Sequence, residues 1–301
     1  MIAILGATGY IGRSLARFLA KNHTEPITLF ARNVAALEGY WPAHVSCRDL
    51  AGFDADEFAL VINAIGVGDP EQVKKLGAGV LDLTYIWDQR VLETMSFQTR
   101  YVFLSSGAIY GTQFAHCVGA DACLQLPVNK LADVPPYVIA KLYAEARHRY
   151  ASDRHILDVR IFGFADQMIS RRGSSFLAAL TRSVATGEPL LTSSDDMVRD
   201  YAGACELSAF IECWRTSGAA NLALDLYSLA PTGKFEVLRA AVERYGLKIQ
   251  TVANNELSPT GVKPHYASTF RGAESLGYRP HRTSIQVVLD ALDAIRGAQQ
   301  V

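Results

Sequence analysis

The feature that most constrains the fold lies in the first twelve residues. A short apolar run, Ile2-Ala3-Ile4-Leu5, stops directly in Gly6-Ala7-Thr8-Gly9-Tyr10-Ile11-Gly12, and helical spacing follows over Ile11–Lys21. Apolar run, glycines and helical periodicity in that order read as a buried strand, a tight turn and a helix start. Glycines let a ligand approach the backbone closely, and the helix N-terminus faces negative charge, so the turn suits the pyrophosphate of a dinucleotide. A glycine triplet alone is often just a flexible turn; its place between a first strand and a first helix gives it weight.

The rest of the first half repeats the alternation. Ile27–Ala31, Val45–Cys47, Leu60–Ala64, Tyr101–Leu104 and Leu157–Ile161 read as further buried strands, with helices over Trp87–Gln98 and Ile139–Ala151 between some of them. This predicts an α/β fold: a Rossmann-type, doubly wound parallel sheet with helices on both faces. The texture changes after residue 162. Ser170–Ser175 is polar and basic, Gly187–Asp196 contains GEP and SSDD, and Pro231, Pro259, Pro264 and Pro280 interrupt the end. The expected division is a dinucleotide-binding domain over 1–162 and a smaller C-terminal α/β substrate domain over 163–301. The segment 201–226 is expected to return to the main sheet, ending in a strand at Asn221–Leu226.

Composition narrows the partners. The chain has 301 residues, 29 Lys+Arg against 30 Asp+Glu, and a net charge of -1. No basic run points to nucleic acid or a membrane surface, and no stretch is apolar enough to span a bilayer. The first residues show no charged leader and no small-residue cleavage site, so they read as a strand rather than a signal peptide. Cys47, Cys117, Cys123, Cys205 and Cys213 form no CxxC and no metal pairing with histidine. They read as reduced, mostly buried thiols of a cytoplasmic protein, with no metal site expected.

Two further segments carry chemistry. Leu104-Ser105-Ser106-Gly107-Ala108-Ile109-Tyr110-Gly111 leaves a strand at the edge where open sheets bind ligands. Tyr137-Val138-Ile139-Ala140-Lys141 begins a helix, so Tyr137 and Lys141 lie one turn apart on one face. The lysine can stabilise a phenolate, the tyrosine can pass a proton to or from a carbonyl oxygen, and Ser106 can hydrogen-bond that oxygen. A YxxxK spacing by itself also describes an exposed tyrosine and a solvated lysine. At the second strand's end, Ala31 stands where an acid would hold the ribose hydroxyls of NAD, and Arg32 follows. An arginine there can neutralise a 2′-phosphate or can simply be solvated, and the reading favours NADP (NADPH) over NAD.

In this order, the glycine motif, SSGAIYG and YVIAKLYAE resemble the short-chain dehydrogenase/reductase superfamily. Later motifs resemble its extended branch, the NAD-dependent epimerase/dehydratase family that mostly processes nucleotide-sugars. Arg160-Ile161-Phe162-Gly163-Phe164 is similar to the branch's R-x-x-N-x-Y, Val198-Arg199-Asp200-Tyr201 contains its RDY, Asn221-Leu222-Ala223 resembles N-L-G, and Leu276-Gly277-Tyr278-Arg279-Pro280 resembles L-G-[WY]-x-P. Gly163 replaces the asparagine and Ala165-Asp166 the following Gly-Pro. Gly203 and Ala204 replace the histidine and valine after RDY, while Glu206 sits where an aspartate is common. The resemblance implies Ser106, Tyr137 and Lys141 as catalytic residues. The expected cofactor set is Gly6, Thr8, Gly9, Tyr10, Ile11, Gly12, Arg32, Asp49, Leu50, Ala64, Tyr137 and Lys141. Asp49 reads equally well as a turn aspartate.

Relatives divide by the residues after the serine. Dehydratases carry Asp-Glu there and 3,5-epimerase/4-reductases a cysteine, whereas this chain has Gly107 and Ala108. The expectation is an NADPH-dependent oxidoreductase reducing a 4-keto nucleotide-sugar for deoxysugar synthesis. The alternatives are a nucleotide-sugar 4-epimerase with retained NAD and a non-catalytic NADP sensor. Substrate contacts are expected from Ser106 and from Arg199, whose guanidinium suits a diphosphate unless it forms a surface salt bridge. The apolar faces around Val91–Met95 and Ile139–Ala146 suit a homodimer interface or packing on the sheet.

Overall fold

The computed structural model describes residues 1–37, 39–171, 173–252 and 263–297. Arg172 of the basic segment and Pro259 lie outside the described residues. The core is a seven-stranded parallel sheet: β1 (Ile2–Leu5), β2 (Ile27–Ala31), β3 (Val45–Asp49), β4 (Leu60–Asn63), β5 (Arg100–Ser106), β6 (His155–Ile161) and β7 (Asn221–Asp225). Their spatial order is β7-β6-β5-β4-β1-β2-β3. Every pair is parallel, with Ile2 opposite both Ile27 and Leu60, so each connection must cross over through a helix or loop. The fold is therefore the Rossmann type, and the strand order reverses between β1 and β4, where such sheets bind ligands.

Side-chain alternation explains the two layers. In β1, Ile2 and Ile4 join one core, together with Leu15 and Leu19 of α1 (Tyr10–Asn22) and Phe210 and Trp214 further along. Ala3 and Leu5 point the other way, into a core with Val91, Met95 and Ala144. A buried strand needs apolar residues on both faces, which is why β1, β2 and β4 are buried along their whole length.

Helix α2 (Pro70–Leu76) is short; α3 (Gly79–Thr94) and α4 (Pro136–Tyr150) pack beside each other on the second face. Helix α3 starts eight residues before the expected Trp87. Its exposed Leu81, Tyr85 and Ile86 blur the apolar stripe from which a start would be read. Val91, Met95 and Ala144 pack into the core on this face of the sheet, and Val138 and Ala140 are also buried.

Beyond Ile161 the chain builds α5 (Phe176–Thr186), α6 (Ala204–Ser217), α7 (Lys234–Tyr245) and α8 (Ser284–Gly297). Helix α6 packs beside α1 on the sheet. Helices α5, α7 and α8 share a separate core with Leu190, Tyr201 and Leu247. Strand pieces join them: Leu190–Ser193 pairs with Ile249–Val252, and Val198–Arg199 lies between Thr232–Gly233 and His265–Tyr266. Among the described residues no helix is long and apolar enough to cross a membrane. All five thiols are free, and they are less enclosed than expected, with Cys123 exposed and the other four half-buried.

Candidate functional site

The glycine turn, Ala64 and Ser106, all expected site residues, gather at the carboxyl ends of β1, β4 and β5. Gly6 holds the turn after β1 with φ of 73°, a conformation that disfavours other residues. A Cβ on Gly6 would lie 2.9 Å from the backbone of Ala64, and one on Gly12 would lie 2.4 Å from Gly6 O. Helix α1 begins at Gly9 without any side-chain cap, leaving its first N–H groups free of a competing carboxylate or hydroxyl. A tight, side-chain-free turn with an uncapped helix start fits a dinucleotide pyrophosphate.

The remaining expected cofactor residues fall into distinct places. Thr8 and Gly9 are exposed at the turn, Ile11 is half-buried, and Ala64 is tied to β1 by its N–H to Leu5 O at 3.0 Å. Tyr10 turns away toward the second half: its hydroxyl accepts from Asp166 N at 2.8 Å and donates to Phe164 O at 3.3 Å. Asp166 Oδ1 in turn accepts from Ser14 Oγ at 2.9 Å. The Ala165-Asp166 departure thus links α1 to the segment after β6. Asp49 accepts from Ala51 N at 2.7 Å in an Asx turn, and Leu50 is buried. Arg32 is exposed.

Ser106 ends β5, and its Oγ caps the following turn by accepting from Ala108 N at 3.1 Å. Pro136 opens α4, so Tyr137 stands at the helix start, and Lys141 one turn on. Burial raises the Tyr137 phenol's pKa, and the neighbouring Ser106 hydroxyl offsets part of the rise. Lys141 is 3% exposed; its Nζ donates to Leu104 O at 2.8 Å and lies 4.3 Å from the Phe103 ring centroid and 5.8 Å from that of Tyr137. Burial pulls its pKa down to about 8, against the carboxylates of Asp88, Glu145 and Asp158. The structure therefore brings Ser106, Tyr137 and Lys141 together. Gly107 and Ala108 are buried beside them.

Three features were not read from the sequence. First, Tyr266 Oη lies 3.2 Å from Ser106 Oγ. Second, Lys263 Nζ lies 4.6 Å from the Tyr266 ring centroid and 5.3 Å from that of Phe114. Arg199 lies over the same Tyr266 ring at 5.8 Å and donates to the carbonyls of Val198 at 2.8 Å and Lys263 at 2.7 Å. Neither cation pairs with a carboxylate among the described residues. Burial lowers the pKa of both, and Arg199 adds to the drop that brings Lys263 to about 8. Arg199 is thus half-buried rather than in a surface salt bridge.

Third, two polar networks lock the scaffold. Glu145, one turn beyond Lys141, accepts from Ser105 Oγ at 2.5 Å and from Arg160 at 2.7 Å. His148 lies between Asp158, 2.6 Å from Nδ1, and Asp88, 2.7 Å from Nε2. The nearest sequence signals were Glu145 at the end of the YVIAKLYAE stretch and Arg160 in the R-x-x-N-like segment. Tyr266 and Lys263 sit in a proline-broken tail with no readable periodicity.

The family model for the NAD dependent epimerase/dehydratase family matches residues 2–211. The chain belongs to that family. A search of the curated proteins gave no match. Among solved structures, the chain is similar to MoeE5 in complex with UDP-glucose and NAD, at 18% identity and TM-score 0.78, covering 99% of each chain. It is similar to UDP-glucuronic acid 4-epimerase from Bacillus cereus with UDP-glucuronic acid and NAD, at 14% identity and TM-score 0.77, again covering 99% of each. A third, UDP-glucose-4-epimerase from Stenotrophomonas maltophila with NAD and formylated UDP-arabinopyranose, gives 18% identity and TM-score 0.78, covering 99% of this chain and 98% of that one.

These complexes overturn the NADP expectation, because the relatives hold NAD. The geometry shows where the sequence argument failed. Ala31 is 2% exposed and packed in the core with Leu15 and Leu29. The missing acid was sought at a position whose side chain faces the core, so its absence carries no information about the ribose. Arg32, exposed beyond the strand, then reads as a solvated side chain.

Proposed function

We propose that this chain is a nucleotide-sugar 4-epimerase that keeps its NAD bound through each turnover. The observation that carries the reading is the pair Arg199 and Lys263, two largely enclosed cations that meet no carboxylate among the described residues, one tyrosine ring away from Ser106. Enclosed positive charge without a counter-ion is costly, so such a pair calls for a resident anion. A diphosphate supplies two charges and several acceptor oxygens, and a guanidinium can bind two of those oxygens at once. The solved relatives complexed with UDP-sugars and NAD support the same substrate class. The second half of the chain is then the substrate-covering part.

NAD, which the Gly6–Gly12 turn and the uncapped start of α1 would hold, would supply a reversible hydride acceptor for the sugar's C4. Tyr137 accepts the proton of the C4 hydroxyl and gives it back, while Ser106 hydrogen-bonds the same oxygen. Lys141 favours the phenolate electrostatically. The diphosphate anchor on Arg199 and Lys263 lets the sugar turn without leaving the site. Gly107 and Ala108 offer no group for proton transfer at a neighbouring carbon, which argues against dehydration and 3,5-epimerisation. The reductase expectation leaned on Arg32 and loses its basis with the cofactor.

Arg199→Ala and Lys263→Met should each raise KM for a UDP-hexose about 10-fold or more, the usual scale for a charge-assisted hydrogen bond, with NAD affinity unchanged. Steady-state kinetics and calorimetry read the two quantities separately. An unaltered KM in both variants would remove the anion anchor from the account.

A further inference from the structure

Ser106 Oγ has two acceptor positions and one hydrogen to give. The N–H of Ala108 fills one acceptor position, at 3.1 Å. Tyr266 Oη is 3.2 Å away on another side. Burial, above all, keeps the Tyr266 phenol well above the ordinary tyrosine range, so at neutral pH it carries its proton. It can therefore fill the second acceptor position. The hydrogen of Ser106 must then leave toward a third oxygen. The Tyr137 phenol, which neighbours Ser106 in the site, is such an oxygen.

We propose that Tyr266 is a positioning residue of the site: its hydroxyl donates to Ser106 Oγ and thereby aims the Ser106 proton at Tyr137 and at the substrate oxygen that Tyr137 serves. Only the identity of that substrate oxygen rests on the epimerase reading. The direction of the chain is Tyr266 to Ser106 to Tyr137.

The fold holds Tyr266 firmly enough for this role. Its two-residue strand runs beside Val198–Arg199, and the backbone is pinned by His265 N to Phe114 O at 3.0 Å and Val198 N to Pro264 O at 2.7 Å. Its ring packs against Phe114 at 4.7 Å and Phe162 at 5.2 Å. The charged and titratable groups around Tyr266 are Ser106, Tyr137, Arg199, Asp225 and Lys263. Those around Tyr137 are Ser106, Lys141 and Tyr266. Because Arg199 and Lys263 lie over the Tyr266 ring, anchoring of the substrate anion and orientation of Ser106 share one side chain.

Tyr266→Phe keeps the ring and removes only the hydroxyl. In NAD-loaded protein without sugar, the Tyr137 phenol is titrated by ultraviolet difference against the matching Tyr137→Phe protein. Its pKa should rise by roughly half a unit to one unit on loss of the oriented donor. With sugar, kcat should fall about 10-fold, its acid limb should move to higher pH, and KM should stay unchanged. In a Ser106→Ala background, Tyr266→Phe should have no further effect, since the two act as one unit. An unchanged Tyr137 titration, or an equal loss with and without Ser106, overturns the proposal. The titration involves no sugar, so it separates failure of this proposal from failure of the epimerase reading.

Discussion

Lys141 is an ammonium whose hydrogen-bond acceptor is a backbone carbonyl, Leu104 O, rather than a carboxylate. Burial therefore brings its pKa down to about 8, although Asp88, Glu145 and Asp158 pull the other way. The charged form is the one that favours the Tyr137 phenolate, so turnover should fall as pH rises through about 8. A pH–rate profile of kcat checks this, and a flat alkaline side up to pH 10 would contradict it. Lys141→Met should lower kcat by roughly 100-fold at neutral pH, the scale of an impaired general base. Arg32 gives the opposite case. It is exposed and follows a strand residue that faces the core. Arg32→Ala should leave NAD affinity within about 2-fold by calorimetry, the usual result for a solvated side chain.

At the scale of elements, α4 carries both the reacting pair and the lock that seats it. His148 has a carboxylate oxygen at each ring nitrogen, and carboxylates only accept, so both nitrogens must donate. Burial alone would lower the imidazole pKa; Asp158 and Asp88 outweigh it and hold it at about 9. The sign follows directly. A pKa raised above the unfolded value of 6.5 gives stability that is complete below pH 6.5 and is lost as pH rises through about 9. Thermal melting should show that loss, and His148→Gln should remove most of the pH dependence. His148→Ala would leave Asp88 and Asp158 enclosed without their shared partner, at a cost of about 3–5 kcal/mol. Denaturant unfolding measures it, and a loss below 1 kcal/mol would show that water or the arginines replace the imidazolium.

For the whole molecule, the legibility of the sequence follows the length of its elements. Strands such as β1 and β4 could be read because burial on both faces writes an apolar run, as in Ile2–Leu5 and Leu60–Ile62. By contrast, β3, expected as a buried strand at Val45–Cys47, is only partly buried, with Ser46 exposed. Ser106, Tyr137 and Lys141 could be read because a strand end and one helical turn hold them at fixed spacing. The substrate side could not. Its strands at Val198–Arg199, Thr232–Gly233 and His265–Tyr266 have two residues each, too short to show any period. Lys263 and Tyr266 reach the site only through pairing across the chain. Gly163 shows the same limit: a Cβ there would lie 2.6 Å from the Tyr201 ring, a close approach made by a strand nearly forty residues later.

Epimerisation through a retained cofactor predicts that the C4 hydrogen leaves the sugar and returns to it without mixing with solvent. Incubating the protein and its bound NAD with a UDP-hexose in D₂O, and following the sugar by proton NMR, tests that claim. The account predicts that the C4 epimer accumulates to equilibrium with ordinary hydrogen at C4, no deuterium at C3 or C5, and no net formation of NADH. Deuterium at C3 or C5, or loss of one NAD for every sugar converted, would contradict it.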